Sequence, residues 1–557
     1  MKHLTSQQSL YRAVCRLAPK AEKLDQTTVN VCFADAGHLQ RILNNTNQYI
    51  EGRRGTGKTH LLMYSADLVN ANLIKDNRIA VYVDLRDVSS ESGKDDVTPK
   101  ERAKKIFKSL LQTILNQLRT IDSTILWHNS IPTARTTYDL ISAKNSHDAL
   151  AELASSIEGS RHLSAKSATQ ELNSSESTET AGGLDLDVSM APASPKLSLL
   201  ARMRGRKLKA STYRQKVEYD YKLSYIDIRN SLFKFMDANS INECIFFIDE
   251  WSSVELDAQP YLAQEFKRLF LASSRLTVKI AVLPFQTKFL IEDEKGNIGL
   301  DKQGDIFSGL DLDSELVFGR HPERAYWHLG KMLLNHLRNM IKLNGDDPNV
   351  LPVDCDILIN SLFTASAYRR LLIYSQGNPR DFLSLFKTAF IHHYDRSFEV
   401  PIGSNTVDEA AKLLGSEKFE NINTNRDAIN MFNSIVAAVL QKEKKSTFVI
   451  PVRFSNNPCF AFLVHHRLLH VWDRSYSSAN IGGERQMVIA IDHAIIGEHL
   501  KAPNYRNLME LPFTDEAILR LEKAREHQEW VKKLLSAEKP DKRSARYISV
   551  PESIFLR

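Results

Sequence analysis

The octapeptide Gly52-Arg53-Arg54-Gly55-Thr56-Gly57-Lys58-Thr59 fits the spacing Gly-x-x-x-x-Gly-Lys-(Ser/Thr) at every position. Glycines at these offsets let successive backbone N–H groups turn inward around a phosphate chain. The Lys58 ammonium then reaches the β- and γ-phosphates of a nucleotide such as ATP, and the Thr59 hydroxyl takes one place on Mg²⁺. With His60, which continues into the next element, Gly52 to His60 is the candidate cofactor-binding segment. A second group is the apolar run Cys244-Ile245-Phe246-Phe247-Ile248, which ends in Asp249-Glu250. A buried strand ending in two carboxylates suits nucleotide hydrolysis. Asp249 would hold Mg²⁺ through its water shell, and Glu250 would polarise the attacking water as general base. A third group is Gly377-Asn378-Pro379-Arg380-Asp381-Phe382. Asn378 is a good N-cap and Pro379 suits the first helical position. Arg380 therefore falls in the first helical turn, where the dipole disfavours a cation. That cost suggests a use, such as reaching an anion across a cleft.

The elements around these groups follow from hydrophobic periodicity. Asn47 to Glu51 reads as a short strand and His60 to Leu68 as the start of a helix, so the Gly-rich loop lies between strand and helix N-terminus, as phosphate binding requires. Arg78 to Leu85 and Val278 to Leu283 read as buried strands, and Ile306 to Leu316 as a final strand. Helices are expected over Pro99 to Leu118, around Tyr225 to Phe235, and from Pro322 onward. This alternation predicts a parallel α/β sheet. The strand Val278 to Leu283 runs into Leu283-Pro284-Phe285, with Gln286 and Thr287 further on, so the polar residue that such hydrolases carry at this strand end has no clear counterpart. Residues 1–35 read as a leader with a short helix over Tyr11 to Leu17, and His38 to Leu43 is a further helical piece. Beyond Pro401, a helix through Ala428 to Val439, a strand at Thr447 to Ile450 and an apolar helix over Cys459 to Leu469 come in turn. Two strands, His470 to Arg474 and Gln486 to Ile491, then flank a loop containing Gly482-Gly483. This order looks like a winged helix whose loop region offers Arg474, Tyr476 and Arg485. DNA binding and a purely structural or protein-docking role both stand. Leu519 to Leu535 is a charged amphipathic helix without an evident task.

A chain of 557 residues exceeds one core and implies several domains. With 43% apolar and 25% charged residues it has globular composition. It has no apolar run long enough for a membrane span and no secretory leader. The five cysteines are scattered, without metal-ligand spacing, and read as reduced, buried small hydrophobes of a cytoplasmic protein. The net charge of +6 is too small to identify a nucleic-acid binder, so local charge matters more. From about residue 151 to 216 an insertion interrupts the α/β pattern. Ser155 to Thr180 is polar and low in complexity. Lys196 to Lys216 carries Lys196, Arg202, Arg204, Arg206, Lys207, Lys209, Arg214 and Lys216 without one acidic residue. A solvated arm and an arm that touches phosphate backbone are both consistent with that run.

The phosphate loop, the Asp249-Glu250 strand, the Gly377 to Arg380 segment and the C-terminal pattern together resemble the AAA+ ATPases, specifically the origin-recognition (initiator) clade and its bacterial relatives. The resemblance implies an α/β fold: an αβα parallel-sheet ATPase core over residues 36–320, a helical lid over 321–400 and a winged-helix domain over 401–510, with residues 511–557 as a C-terminal helix and tail. It implies ATP and Mg²⁺ as cofactors, Lys58, Glu250 and Arg380 as catalytic groups, and Arg380 as the lid arginine on the γ-phosphate. It further implies self-association, in which one subunit offers an arginine finger to the next; Arg268, Arg275 and Arg320 are candidates. Double-stranded DNA is the expected partner, an effector protein a further one, and no membrane is involved. By analogy, such proteins sit in phage-defence or mobile-element systems. The competing reading is a nucleotide-switched scaffold that controls an effector with little turnover and without direct DNA binding.

Overall fold

The computed structural model describes residues 2–18, 26–89, 98–128, 137–158, 160–163, 219–293, 296–317, 320–396, 401–476, 484–499 and 547–555. The basic run Lys196 to Lys216, most of the Ser-rich stretch, Gly482-Gly483 and the expected helix Leu519 to Leu535 lie outside the described residues.

Five parallel strands form the central sheet. In chain order the strands begin with β1 (Gln48–Glu51), β2 (Arg78–Asp84), and the small antiparallel pair β3 (Ser160–Leu163) and β4 (Tyr219–Lys222) at the mouth of the insertion. Then come β5 (Glu243–Asp249), β6 (Leu276–Val282), the hairpin β7 (Leu290–Asp293) and β8 (Gly296–Gly299), and β9 (Phe307–Asp311). The central sheet runs β2-β5-β6-β1-β9. The expected continuous apolar strands appear because both faces are covered. Ile245 and Phe247 of β5 pack with Leu61, Leu62, Ala66 and Val69 of the helix Lys58–Ala71 on one face. Phe246 and Ile248 pack on the other with the helices Pro99–His128, Tyr225–Ala238 and Gln259–Leu269. Alternate side chains of one strand thus serve two layers. The helix at Pro99 begins with a reciprocal cap: Glu101 N–H donates to Thr98 Oγ1 at 3.3 Å, and Thr98 N–H donates to Glu101 at 3.1 Å. It runs ten residues beyond the expected Leu118, to His128. The final strand is shorter than expected; after Asp311 the chain turns into the helical turn Leu312–Glu315, capped by Asp311.

A second core lies among the helices Pro322–Leu343, Cys355–Leu362, Ala365–Ser375 and Pro379–Arg396, the expected lid. Two neighbours join it. The helix Lys2–Arg16 of the leader packs on it, with Tyr11 and Tyr394 stacked at 4.2 Å and Lys387 Nζ donating to Cys15 O at 2.8 Å. The helix Ser404–Glu420, read from sequence as part of the following unit, buries Val407, Ala410 and Ala411 in the same core. Cys15 is exposed, unlike the buried thiol expected there.

The third core contains a four-stranded sheet: β10 (Thr447–Pro451), β11 (Leu469–Tyr476), β12 (Gln486–Ile491) and β13 (Ile548–Ser549), in the order β11-β12-β10-β13. β10 and β11 flank β12 antiparallel, and β13 from the chain's last residues adds in parallel to β10. Among the described residues, no helix is long and apolar enough to cross a membrane.

Candidate functional site

The Gly-rich loop leaves β1 at the carboxyl end of the sheet, where the helix Lys58–Ala71 begins. Gly55 and Gly57 have φ of +89° and +91°, a region L-residues seldom adopt, so both glycines are required by the turn itself. Gly55 is also required by contact: a Cβ there would lie 2.6 Å from Asn378 Oδ1 and 2.8 Å from Arg380 Cβ. The Lys58 ammonium folds over the loop and donates to the carbonyls of Gly52 and, at 2.9 Å, Arg53. Burial lowers its pKa, against the attraction of Asp313, Asp249 and Glu250.

Opposite stands the end of β5. Asp249 is buried and accepts hydrogen bonds from the Thr59 hydroxyl, from Glu250 N–H at 2.8 Å and from Tyr82 Oη at 3.1 Å. The hydroxyl and carboxylate expected to share a cation are therefore in direct contact. Burial raises the Asp249 pKa. Glu250 sits at φ +53°, left-handed for a non-glycine residue, directly after the last residue of β5. Its pKa is raised by burial first and by Asp249 second, while Arg86, Lys58 and Arg54 pull it down. Tyr82 was not singled out in the sequence, because its role depends on the neighbouring β2 placing it beside Asp249.

The lid closes the third side. Asn378 caps the helix Pro379–Arg396 by accepting from the N–H groups of Arg380 at 3.1 Å and Asp381 at 3.3 Å, and its Nδ2 donates to Arg54 O at 2.8 Å. Arg380 N–H donates to Gly55 O at 3.2 Å. The start of this helix is thus fastened to the phosphate loop, and Arg380 is near enough to depress Lys58. The residues present fit a magnesium nucleotide: a glycine turn, a buried lysine held on the loop's own carbonyls, a hydroxyl–carboxylate pair, and added cations at Arg54 and Arg380.

Residues 18–288 match the family model described as ORC-CDC6-like. The resemblance to origin-recognition-like AAA+ ATPases is thereby shown over the stretch that holds the phosphate loop and both carboxylates. No curated protein matches the chain. This ORC-CDC6-like region is of a nucleotide-binding class, and the match ends within the α/β unit, before β7 to β9, the lid and the C-terminal sheet.

Several expected site residues have other engagements in the ORC-CDC6-like region. Arg53 is buried, and its Nε pairs with Asp313 at 2.7 Å while its backbone N–H meets both oxygens of the same carboxylate. It anchors the loop from below. His60 Nε2 is bonded to Val29 O at 2.7 Å, so its ring is committed to the helix Gln26–Cys32. Thr56 Oγ1 donates to Arg53 O at 2.9 Å, closing the turn. The strand end without a polar residue is occupied by apolar packing: Phe285, at φ +59°, lies 5.5 Å from Phe460 and 5.7 Å under the Arg474 guanidinium. Thr287 Oγ1 donates to Leu283 O at 2.9 Å.

Arg474 corrects the reading of the C-terminal sheet. From sequence it was one of the residues near a wing, with DNA binding and a structural or docking role both open. It instead crosses to the ATPase core, pairing with Glu51 at 2.5 Å, Asp311 at 3.7 Å and Asp313 at 4.0 Å. The arginine-finger candidates are likewise held within the chain: Arg268 by Glu265 at 3.8 Å, Arg275 by Asp237 at 2.8 Å and Arg320 by Trp472 O and Asp473. A buried polar chain joins the lid to the sheet. Asp381 accepts from Arg467 and is ion-paired with Lys418 at 2.8 Å; Lys418 donates to Asp492 at 2.7 Å, and His470 meets Asp492 at 2.7 Å. Sequence spacing carries no sign of these pairs, because the partners lie 22 to 86 residues apart.

Proposed function

We propose that this chain binds ATP with Mg²⁺ in the loop Gly52 to Thr59 and hydrolyses it. The observation that carries the reading is the convergence of Lys58, Thr59, Asp249 and Glu250 at one end of the sheet, with Arg380 brought in from the lid. Mg²⁺, when bound, would neutralise phosphate charge between Thr59 and Asp249. Lys58 would exchange its loop carbonyls for phosphate oxygens. Glu250, with its pKa raised by burial and by Asp249, would take the proton of the attacking water. Arg380, fixed on Gly55, would stabilise charge that develops on the terminal phosphate.

The test separates binding from chemistry. Lys58→Ala should abolish ATP binding. Glu250→Gln should retain binding and hydrolyse at least ~100-fold more slowly, the scale of losing a general base. Near-normal turnover by Glu250→Gln would reduce that residue to a strand terminus.

DNA association, self-association and control of an effector protein, including a defence role, remain part of this reading on the strength of the resemblance and of the basic run Lys196 to Lys216. We further read the unit around β10 to β12 as winged-helix-like. The helix Pro458–His465 of that unit carries no Lys or Arg, however, so phosphate contacts would have to come from elsewhere. A second reading is favoured by Arg474: a C-terminal unit ion-paired to the strand end before the phosphate loop suits a nucleotide switch that signals to a partner with little turnover.

A further inference from the structure

The helix Pro458–His465 of the C-terminal unit ends beside the nucleotide site, although it lies some 400 residues downstream of the phosphate loop. The path of contacts is short. Arg467, in the left-handed turn that follows the helix at φ +63°, is ion-paired with Asp381. Asp381 follows Arg380, whose N–H is bonded to Gly55, and Asn378 is bonded to Arg54. His465 is thereby brought close enough to Arg54 and Lys58 for both charges to act on it. Among the described residues neither of its ring nitrogens has a hydrogen-bond partner, and its ring only meets His466 edge-on at 5.0 Å. It stands in the last helical turn, where the helix dipole favours a cation.

The surroundings explain why this histidine is neutral without a ligand. Burial acts first, and Arg54 from the loop, His466 and Arg467 from its own segment and Lys58 from the loop helix all act the same way, taking its pKa to about 4. From the lid, Asp381 faces this segment but is already neutralised by Arg467 and Lys418. Arg467 has its counter-charge in Asp381, and Lys58 lies among Asp249, Glu250 and Asp313, but only cations and His466 act on the His465 imidazole, and a polyphosphate supplies the anion it lacks.

We propose that the end of this helix belongs to the nucleotide site, with His465 as a phosphate-contacting group that takes up a proton when ATP binds. The inference rests on the phosphate-loop reading above. It makes the C-terminal unit a part of the binding site within the same chain, so nucleotide occupancy and the seating of that unit become one equilibrium.

The test is calorimetric titration of the full chain with ATP and Mg²⁺, in a Glu250→Gln background so that no turnover contributes. Titrations near pH 6 and pH 8, each in two buffers of different ionisation enthalpy, give affinity and proton uptake together. The proposal expects His465 to add up to one proton on binding near pH 6 and to tighten binding by roughly tenfold relative to pH 8. His465→Gln and His465→Asn should lose that excess while keeping the protonation of ATP itself, common to all variants. Equal proton uptake and pH dependence in parent and both variants would overturn the inference. If the parent binds ATP and Lys58→Ala does not, that failure touches His465 alone; if the parent does not bind ATP, the phosphate-loop reading falls and takes this inference with it.

Discussion

Tyr82 shows how a side chain without catalytic chemistry can orient a carboxylate. Its hydroxyl donates to Asp249 at 3.1 Å, on a carboxylate that also receives Thr59 and the Glu250 N–H. A carboxylate oriented by three donors presents fixed lone pairs to a cation, and such outer partners are commonly worth 10–100-fold in metal affinity. Tyr82→Phe should therefore raise the Mg²⁺ concentration needed for half-maximal hydrolysis by roughly tenfold, with nucleotide binding in EDTA unchanged. An unchanged Mg²⁺ dependence would make the hydroxyl a packing detail. At this scale the sequence was informative where chemistry is local. Lys58, Thr59, Asp249 and Glu250 are recognisable because a loop or a strand end fixes them relative to neighbours in sequence. Arg53 and His60 sit in or beside the same motif and were read with it, yet their side chains are held by Asp313 and by Val29 O. A motif specifies a backbone path; what an individual side chain on that path touches is decided by elements that fold against it.

Arg474 is the corresponding case for elements. The sequence placed β10, β11, β12 and the helix before β11 closely, from alternating apolar residues and the turn between them. It could not say which face of β11 meets another unit, because an arginine near a strand end looks the same whether it faces solvent or a carboxylate. Here three carboxylates, Glu51, Asp311 and Asp313, converge on it, and Asp313 in turn holds Arg53. Removing one partner from a buried ion pair leaves an uncompensated charge and costs about 3–5 kcal/mol; with Arg474 29% exposed, the lower end applies. Arg474→Met should lower stability by about 3 kcal/mol near pH 8. The loss should depend on pH. Burial raises Asp311 to about 6, so the folded state prefers its neutral form; that preference stabilises below the ordinary carboxylate range and is lost as pH rises through about 6. Without Arg474 the ionised form of Asp311 is worse still. The deficit between Arg474→Met and the parent should accordingly shrink as pH falls from 8 to 5, measured by thermal melting at each pH. A deficit independent of pH would assign it to lost packing on Phe285, which the guanidinium covers at 5.7 Å.

For the molecule as a whole, the αβα core was legible in advance because its strands are buried on both faces and its helices repeat with a 3.6-residue period. The attachments were not: the leader helix on the lid, the helix Ser404–Glu420 joined to the same core, and Ile548–Ser549 completing the C-terminal sheet are all docking events between distant segments. This matters for DNA, because the two sequence features for which phosphate contact was one open reading now separate. Arg474 is spent on the ATPase core, and so it should contribute nothing to a salt-dependent contact. Arg485 is exposed, and among the described residues only its carbonyl is engaged, by Val452 N–H at 3.0 Å. The run Lys196 to Lys216 keeps eight cations without an acidic neighbour in sequence. If the chain binds duplex DNA through that run, each neutralised phosphate releases counterion and log K falls linearly with log salt. Replacing Arg202, Arg204, Arg206 and Lys207 with Ser should flatten that slope by roughly one unit per lost contact and leave ATP binding unchanged. Arg485→Ser should remove up to about one unit independently, additive with the first set if the two sites are far apart. Arg474→Met should leave the slope where it was. Affinity for a random-sequence duplex at four or five salt concentrations, measured for the parent and each variant, decides between the two functional readings. A slope that responds to the basic run supports a DNA-associated ATPase. A slope that no variant changes leaves the Arg474 contact between the strand end before the phosphate loop and the C-terminal sheet as the main output of the nucleotide site, and points to a switch read by a protein partner.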